Sequence, residues 1–105
     1  MNVVERQLEA YNKKDIDRFM ECYGEDIQVY RFPNEVLFSS HDEMRNHYQK
    51  LFQTYPNMNA DILKRIEQGK YVIDHEWITG RKEEPFTATA MYEIENDLII
   101  KVWFL

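Results

Sequence analysis

The sequence contains very little cysteine or glycine, and each shortage excludes a class of protein. A single cysteine among 105 residues cannot form an internal disulfide, and it is too few for a cysteine-rich zinc module. Three scattered glycines leave no glycine-rich loop that could cradle a nucleotide phosphate. Uninterrupted apolar runs are only a few residues long, so the sequence predicts no membrane span. A globular domain stabilised by its own core is what remains.

Positive charge is also scarce, since 13 Lys and Arg stand against 19 Asp and Glu, for a formal net charge of −6. Nucleic acids and anionic membranes bind mainly through basic patches, so neither is expected as a partner. The three histidines lack metal-ligand spacing, so we predict no metal site, and no motif indicates a cofactor. Residues 1–6 lack the basic and apolar segments of a signal peptide, so we expect a cytoplasmic protein.

A length of 105 residues suits one domain, and no linker-like, repeated or low-complexity stretch marks a boundary, which predicts a single domain over residues 1–105. A helical period predicts helices over residues 4–11, 16–23 and 41–55, with Asp15 capping the second and Ser40 the third. Gly24 is expected to end the second helix at positive φ. A period of two predicts strands at 26–30, 36–38, 58–67, 71–79, 86–94 and 98–105. This order predicts the α+β class, with three helices packed on a mostly antiparallel six-stranded sheet.

Several local segments, spread over nearly the whole chain, carry a resemblance to one group of proteins. They flank the second helix, open the third helix and lie in the later strands, at residues 11–17, 23–27, 39–45, 65–69, 72–76 and 92–100. Through them the sequence resembles the SnoaL-like group of the nuclear transport factor 2-like superfamily, which includes the ketosteroid isomerases. The resemblance implies a cone-shaped α+β barrel, in which a strongly bent sheet wraps around the helices. It also implies a pocket on the concave face and a homodimer formed through the convex face.

Ketosteroid isomerases use a carboxylate base and an oxyanion hole made of one tyrosine and one protonated aspartate, and the resemblance places other residues at these positions. Gln7 stands at the tyrosine position, Arg31 or Phe32 at the base position, and Ala90 at the aspartate position. We therefore do not expect steroid isomerisation by that mechanism. Tyr48 matches a supporting pocket tyrosine.

The strand predicted over residues 71–79 carries two acids on one face. Because side chains alternate between the faces of a strand, Asp74 and Glu76 should lie on the same face, about 7 Å apart. The rest of that face is apolar and suits a pocket wall, whereas the opposite face, with His75 and Trp77, suits a subunit interface. Burial and mutual repulsion would raise the pKa of both carboxyl groups towards the range of a general acid or base. Asp74 and Glu76 are therefore the candidate catalytic acids, with Tyr48 as the donor to a developing oxyanion.

Further pocket residues follow from the same alternation on the neighbouring strands, together with Arg31 and with His47, which could flank the pocket mouth. Arg31 could pair with a carboxylate or orient an anionic group, and His47 is the neighbour of Tyr48 on the third helix. The candidate ligand-binding residues are Arg31, His47, Val72, Ile78, Ala88, Ala90, Tyr92, Val102 and Phe104.

These features favour a cofactor-free enzyme of the isomerase or lyase type, which would move a proton on a small apolar or carbonyl-containing metabolite. Two alternatives stay open. If both acids are solvated or paired with Arg31 or Arg65, a non-catalytic protein that binds a small ligand is favoured. If side chains fill the pocket, the chain is a dimerisation module.

Overall fold

The chain folds into three helices and six strands, in a computed structural model that describes residues 2–105. In chain order they are α1 (Val3–Lys13), α2 (Ile16–Glu21), β1 (Tyr23–Arg31), β2 (Glu35–Phe38), α3 (His41–Thr54), β3 (Asn59–Gln68), β4 (Tyr71–Thr79), β5 (Phe86–Glu95) and β6 (Leu98–Phe104). The predicted α+β class is confirmed. None of the helices in the described part of the chain is long and apolar enough to cross a membrane.

Each helix begins at a side chain that accepts a hydrogen bond from a free backbone amide of the first turn. The Asp15 carboxylate accepts from the Arg18 amide at 3.2 Å, and the Ser40 hydroxyl accepts from the Glu43 amide at 3.1 Å. Both caps were predicted from the sequence. Asn2 caps α1 in the same way.

The prediction for Gly24 was wrong. Helix α2 ends at Glu21, and Gly24 lies inside β1 without a positive φ. The residue before it, Tyr23, pairs with Ile99 of β6, so the sheet takes over residues whose apolar spacing also fits a helix. The left-handed turn of this region is at Lys14 instead, with φ 59°, between α1 and α2.

The six strands form one sheet in the order β2-β1-β6-β5-β4-β3. All neighbours are antiparallel except β1 and β6, which are parallel. The register shifts at several points, including between Ile62 and Lys64 of β3, and such bulges increase the local twist and bend of a strand. A bent, mostly antiparallel sheet around three helices is therefore confirmed.

Aromatic and aliphatic side chains of the helices pack against the concave face of the sheet. The ring of Phe19 in α2 lies 4.8 Å from that of Tyr48 and 5.5 Å from that of Phe52, both in α3. Full burial of one such side chain contributes about 1.5–3 kcal/mol. The largest fully buried residues with Phe19 are Met20, Ile27, Met44, Met58 and Ile99.

The two faces of β4 differ in burial as the alternation predicted. Asp74 and Glu76 on the inner face are 0% and 8% exposed, whereas Trp77 on the outer face is 40% exposed. His75, also on the outer face, is exposed and lies 3.0 Å from the Thr89 hydroxyl through its Nδ1. Strand β4 therefore brings two carboxyl groups to the helix side of the sheet.

Candidate functional site

A cavity of about 420 Å³ lies between the helices and the concave face of the sheet. This volume is within the range of about 300–1,000 Å³ that is usual for small-molecule sites. Most of the wall is aliphatic or aromatic. Apart from tyrosine hydroxyls, its polar groups come from Gln7, Arg31, His47, Glu76 and Arg81.

Glu76 is the carboxyl group of the cavity wall. Its neighbours across the sheet are Ile62 of β3 and Ala88 of β5, and the small Ala88 leaves space in front of it. Within residues 2–105 no side chain hydrogen bonds to the Glu76 carboxyl or forms an ion pair with it. Burial, with a smaller contribution from the negative charge of Asp74, raises the pKa of Glu76 from 4.5 to about 7. An unpaired carboxyl of this kind can accept or donate a proton near neutral pH.

Asp74, the second predicted catalytic acid, is placed differently. Its carboxylate forms two hydrogen bonds with the Arg65 guanidinium, from Nε to Oδ1 at 2.6 Å and from the terminal nitrogen to Oδ2 at 2.9 Å. It is fully buried and does not line the cavity. The pairing depends on the bulge in β3, because Ile62 opposes Glu76 and one extra residue then brings Arg65, rather than Lys64, opposite Asp74.

Tyr48 contributes its hydroxyl to the cavity. Its ring packs against those of Phe19 and Phe52, and the residue is 8% exposed. In the described part of the chain the hydroxyl has no hydrogen-bond partner. Burial, together with the nearby Tyr11 and Glu76, raises the pKa of Tyr48, so the hydroxyl keeps its proton at neutral pH and can donate it in a hydrogen bond.

Gln7, a second polar residue of the wall, has its side-chain amide hydrogen bonded to two tyrosines. The Tyr23 hydroxyl donates to Gln7 Oε1 at 3.0 Å, and Gln7 Nε2 donates to the Tyr92 hydroxyl at 3.4 Å. Burial holds the pKa of both tyrosines well above the ordinary value. This network lets a buried amide lie against the cavity without an unsatisfied donor or acceptor.

Arg31 and His47, two polar residues predicted to bind the ligand, both line the cavity. The Arg31 side chain is 64% exposed and pairs with Glu35 at 3.0 Å, so it pairs with neither Asp74 nor Glu76. His47 is exposed, with its ring 4.8 Å from that of Phe38. Partial burial and the charge of Arg81 lower the pKa of His47 below its ordinary value. Residues 2–105 hold no cluster of three or more His, Cys, Asp or Glu placed to bind a metal ion.

The other predicted ligand-binding residues divide into two groups. The cavity wall includes Ile78, Ala88, Tyr92 and Phe104. Three residues lie in the packed core and do not line the cavity, namely Val72, Ala90 and Val102, which are 4%, 1% and 1% exposed. The inner face of the sheet is therefore part cavity wall and part core, a division that side-chain alternation cannot reveal.

Arg81 lines the cavity and was not predicted. It follows Gly80, whose φ of +77° turns the chain sharply at the end of β4. A Cβ atom at Gly80 would lie 2.7 Å from the carbonyl carbon of Asn57, so the backbone approaches too closely there for any other residue. One signal in the sequence could have identified Arg81. It is a basic residue directly after Gly80, the glycine that ends the strand carrying Glu76.

A family model for the SnoaL-like domain matches residues 4–102 of this chain. No curated protein matches this chain. An uncharacterised cystatin-fold protein from Novosphingobium aromaticivorans superposes with a TM-score of 0.91 at 23% identity, over 100% of this chain and 98% of the other.

Two further solved structures bear functional names. A candidate polyketide cyclase from Sinorhizobium meliloti has a TM-score of 0.84 at 16% identity, over 98% of this chain and 93% of the other. A candidate ketosteroid isomerase from Kribbella flavida has a TM-score of 0.80 at 15% identity, over 97% of this chain and 73% of the other. At identities this low, the likeness shows a shared fold and carries no information on activity.

Proposed function

Because this chain belongs to the SnoaL-like domain family, whose model spans residues 4–102, we propose that its cavity binds a small, largely apolar carbonyl compound and that Glu76 transfers a proton within it. The observation that carries the proposal is the unpaired, 8% exposed carboxyl of Glu76 on the cavity wall. A buried carboxyl without a partner is costly to keep, and such groups are concentrated at sites of proton transfer.

The reaction needs one base and one oxyanion donor. The Glu76 carboxylate takes the proton from a carbon next to the ligand carbonyl, and the C–H electron pair moves into an enolate. The Tyr48 hydroxyl donates a hydrogen bond to the enolate oxygen, where the negative charge develops. If the proton on Glu76 exchanges with solvent before a proton returns to the same carbon, the result is isotope exchange. If the ligand has a double bond next to that carbon, the enolate is a dienolate, and return of the proton to the far carbon of the dienolate gives an isomer.

The apolar wall supports this chemistry in two ways. It excludes water, which strengthens the hydrogen bond from Tyr48 and keeps the Glu76 pKa high enough for a useful base. The names of the structural neighbours, polyketide cyclase and ketosteroid isomerase, are consistent with a small carbonyl ligand. The mechanism differs from the one implied for ketosteroid isomerases, because Gln7 and Ala90 replace their oxyanion groups.

Proton exchange at a bicyclic ketone tests the proposal. We expect the protein to accelerate the exchange of α-protons of 2-tetralone into D₂O, followed by ¹H NMR, by about 10²–10⁴-fold over buffer alone, which is the usual contribution of a positioned base. An exchange rate equal to that in buffer, for 2-tetralone and for the smaller cyclohexanone, would leave only a binding role for the cavity.

A non-catalytic ligand-binding protein is the second candidate. The pairing of Asp74 with Arg65 favours it, because one of the two predicted acids is held in an ion pair away from the cavity. This candidate predicts saturable binding of 2-tetralone with no exchange, so the same assay separates the two functions.

We also propose that the outer face of the sheet binds a second copy of the chain. A row of apolar residues crosses five strands through direct pairing, formed by Ile66, Ile73, Met91, Trp103 and Tyr30. Ile66 is 49% exposed, and the other four are partly exposed. The row is continuous and ends in two aromatic residues, Trp103 and Tyr30. Such a surface suits an isologous interface, in which the same patch of both subunits meets.

A charge placed in this row should separate the subunits. We expect wild-type protein to elute as a dimer and Trp103→Glu as a folded monomer in size-exclusion chromatography with light scattering, because the interface cannot bury an unpaired carboxylate. Phe32→Glu, which changes an exposed aromatic residue outside the row, serves as the matched control and should remain dimeric. A monomeric wild type would refute the proposal.

A further inference from the structure

Arg81 is a cation on the cavity wall that has no anionic partner among residues 2–105. The residue is half-buried, and within residues 2–105 its guanidinium forms no ion pair, no hydrogen bond and no stacking contact. Charged side chains are seldom withdrawn from water without a partner, because the desolvation is then uncompensated. The other arginine of the wall, Arg31, is paired with Glu35 and largely exposed.

The backbone fixes the position of Arg81 in the chain relative to the end of β4. The tight approach of Gly80 to Asn57 fixes where β4 ends, and Arg81 is the next residue. Its charge reaches the helix side of the cavity, since it acts to lower the pKa of Tyr11 and of Tyr48 against the larger effect of burial. Arg81 and Glu76 line the same cavity, and no ion pair joins them among the described residues.

We infer that Arg81 binds an anionic group of the ligand, so that the cavity accepts an apolar, ring-containing carboxylate with its anion at Arg81 and its carbon skeleton against the aromatic wall. The inference rests on the proposed function to the extent that the cavity is a ligand site. A guanidinium can donate two parallel hydrogen bonds to one carboxylate, and such charge-assisted bonds are the stronger class. The bond also orients the ligand, which fixes the carbon presented to Glu76.

Matched charged and neutral probes test the inference by equilibrium binding. The probes are 2-naphthoate and its neutral isostere 2-naphthamide, measured by isothermal titration calorimetry. We expect wild-type protein to bind the carboxylate at least about ten-fold more tightly than the amide, and Arg81→Gln to bind both with nearly equal affinity. Arg81→Lys should keep part of the preference, because it retains the charge but not the paired donors.

The control variant changes the net charge equally at a distance from the cavity. Arg18→Gln removes an arginine whose side chain is 77% exposed and paired with Asp15, and it should keep the full preference. If Arg18→Gln loses the preference as Arg81→Gln does, the effect is a general one of net charge and the inference is overturned. Equal affinity of wild-type protein for both probes, or binding of neither, also overturns it.

Failure of this inference is distinguishable from failure of the proposed catalysis. Glu76→Gln removes the base and leaves Arg81 in place, so it should still prefer the carboxylate even if no proton exchange is ever detected. Proton exchange on 2-tetralone by wild-type protein, together with equal affinity of that protein for the two probes, would retain the catalysis and reject the anion site.

Discussion

The Glu76→Gln variant should lose the proton-exchange activity while its fold is retained. Glutamine fills the same space on the cavity wall but cannot take a proton from carbon, so the exchange rate of 2-tetralone should fall by about 10²–10⁴-fold, to the rate in buffer. In wild-type protein the rate should rise as the pH increases through about 7, where Glu76 becomes a carboxylate, and then level off.

The effect of this substitution on stability depends on pH, and its sign follows from the raised pKa. The folded state holds the Glu76 proton more tightly than the unfolded chain does, so the stabilising contribution is complete below pH 4.5 and is lost as the pH rises through about 7. Ionised Glu76 therefore costs up to about 3 kcal/mol of stability at high pH. Glu76→Gln should raise the melting temperature at about pH 8 and change it little at about pH 5.

An exposed acid provides the matched control. Glu83→Gln removes the same charge from the exposed loop between β4 and β5, and it should change neither the exchange rate nor the pH dependence of the melting temperature. If Glu76→Gln exchanges protons at the wild-type rate, Glu76 is not the base. If it unfolds the protein at both pH values, the carboxyl is a structural group.

Among single substitutions on the inner face of the sheet, Arg65→Gln should lower the free energy of unfolding the most. It leaves the fully buried Asp74 carboxylate without the guanidinium that now donates two hydrogen bonds to it. Breaking a buried pair in this way costs about 3–5 kcal/mol, measured as the loss of unfolding free energy in urea. Because Arg65 lowers the pKa of Glu76, its removal should also shift the pH midpoint of proton exchange upwards.

Replacement of both partners separates the ion pair from the packing around it. Arg65→Met combined with Asp74→Leu should recover most of the lost stability, because apolar groups of similar size remove the unpaired charge together with its partner. Equal stability of Arg65→Gln and wild-type protein would contradict a structural role for the pair. A normal exchange midpoint in a folded Arg65→Gln would contradict its influence on Glu76.

Local patterns predicted those parts of the fold that depend on neighbouring residues. The caps at Asp15 and Ser40 need only a side chain and the next turn of helix, and both are present. The two faces of β4 follow from the period of two, which no tertiary contact can change without a bulge. The prediction that Gly24 ends a helix was wrong because Tyr23 pairs with Ile99, a residue far away in the chain. Local spacing contains no sign of that pairing.

The candidate site shows the same division between local and long-range information. The alternation of β4 was sufficient to place Glu76 on the inner face. It could not show that Asp74 would be paired, because that pairing needs the bulge after Ile62 to bring Arg65 into register. Arg81 was missed for a similar reason, since its position depends on the close approach of Gly80 to Asn57.

The central claim is that Glu76 is an unpaired carboxyl that titrates near neutral pH in the cavity. A ¹³C NMR titration of the side-chain carboxyl carbon tests it most directly, with the Glu76 signal assigned by its absence from the Glu76→Gln spectrum. The structure predicts a midpoint at about 7. A midpoint near the ordinary glutamate value of about 4.3 would mean that the carboxyl is solvated or paired, and would contradict the account.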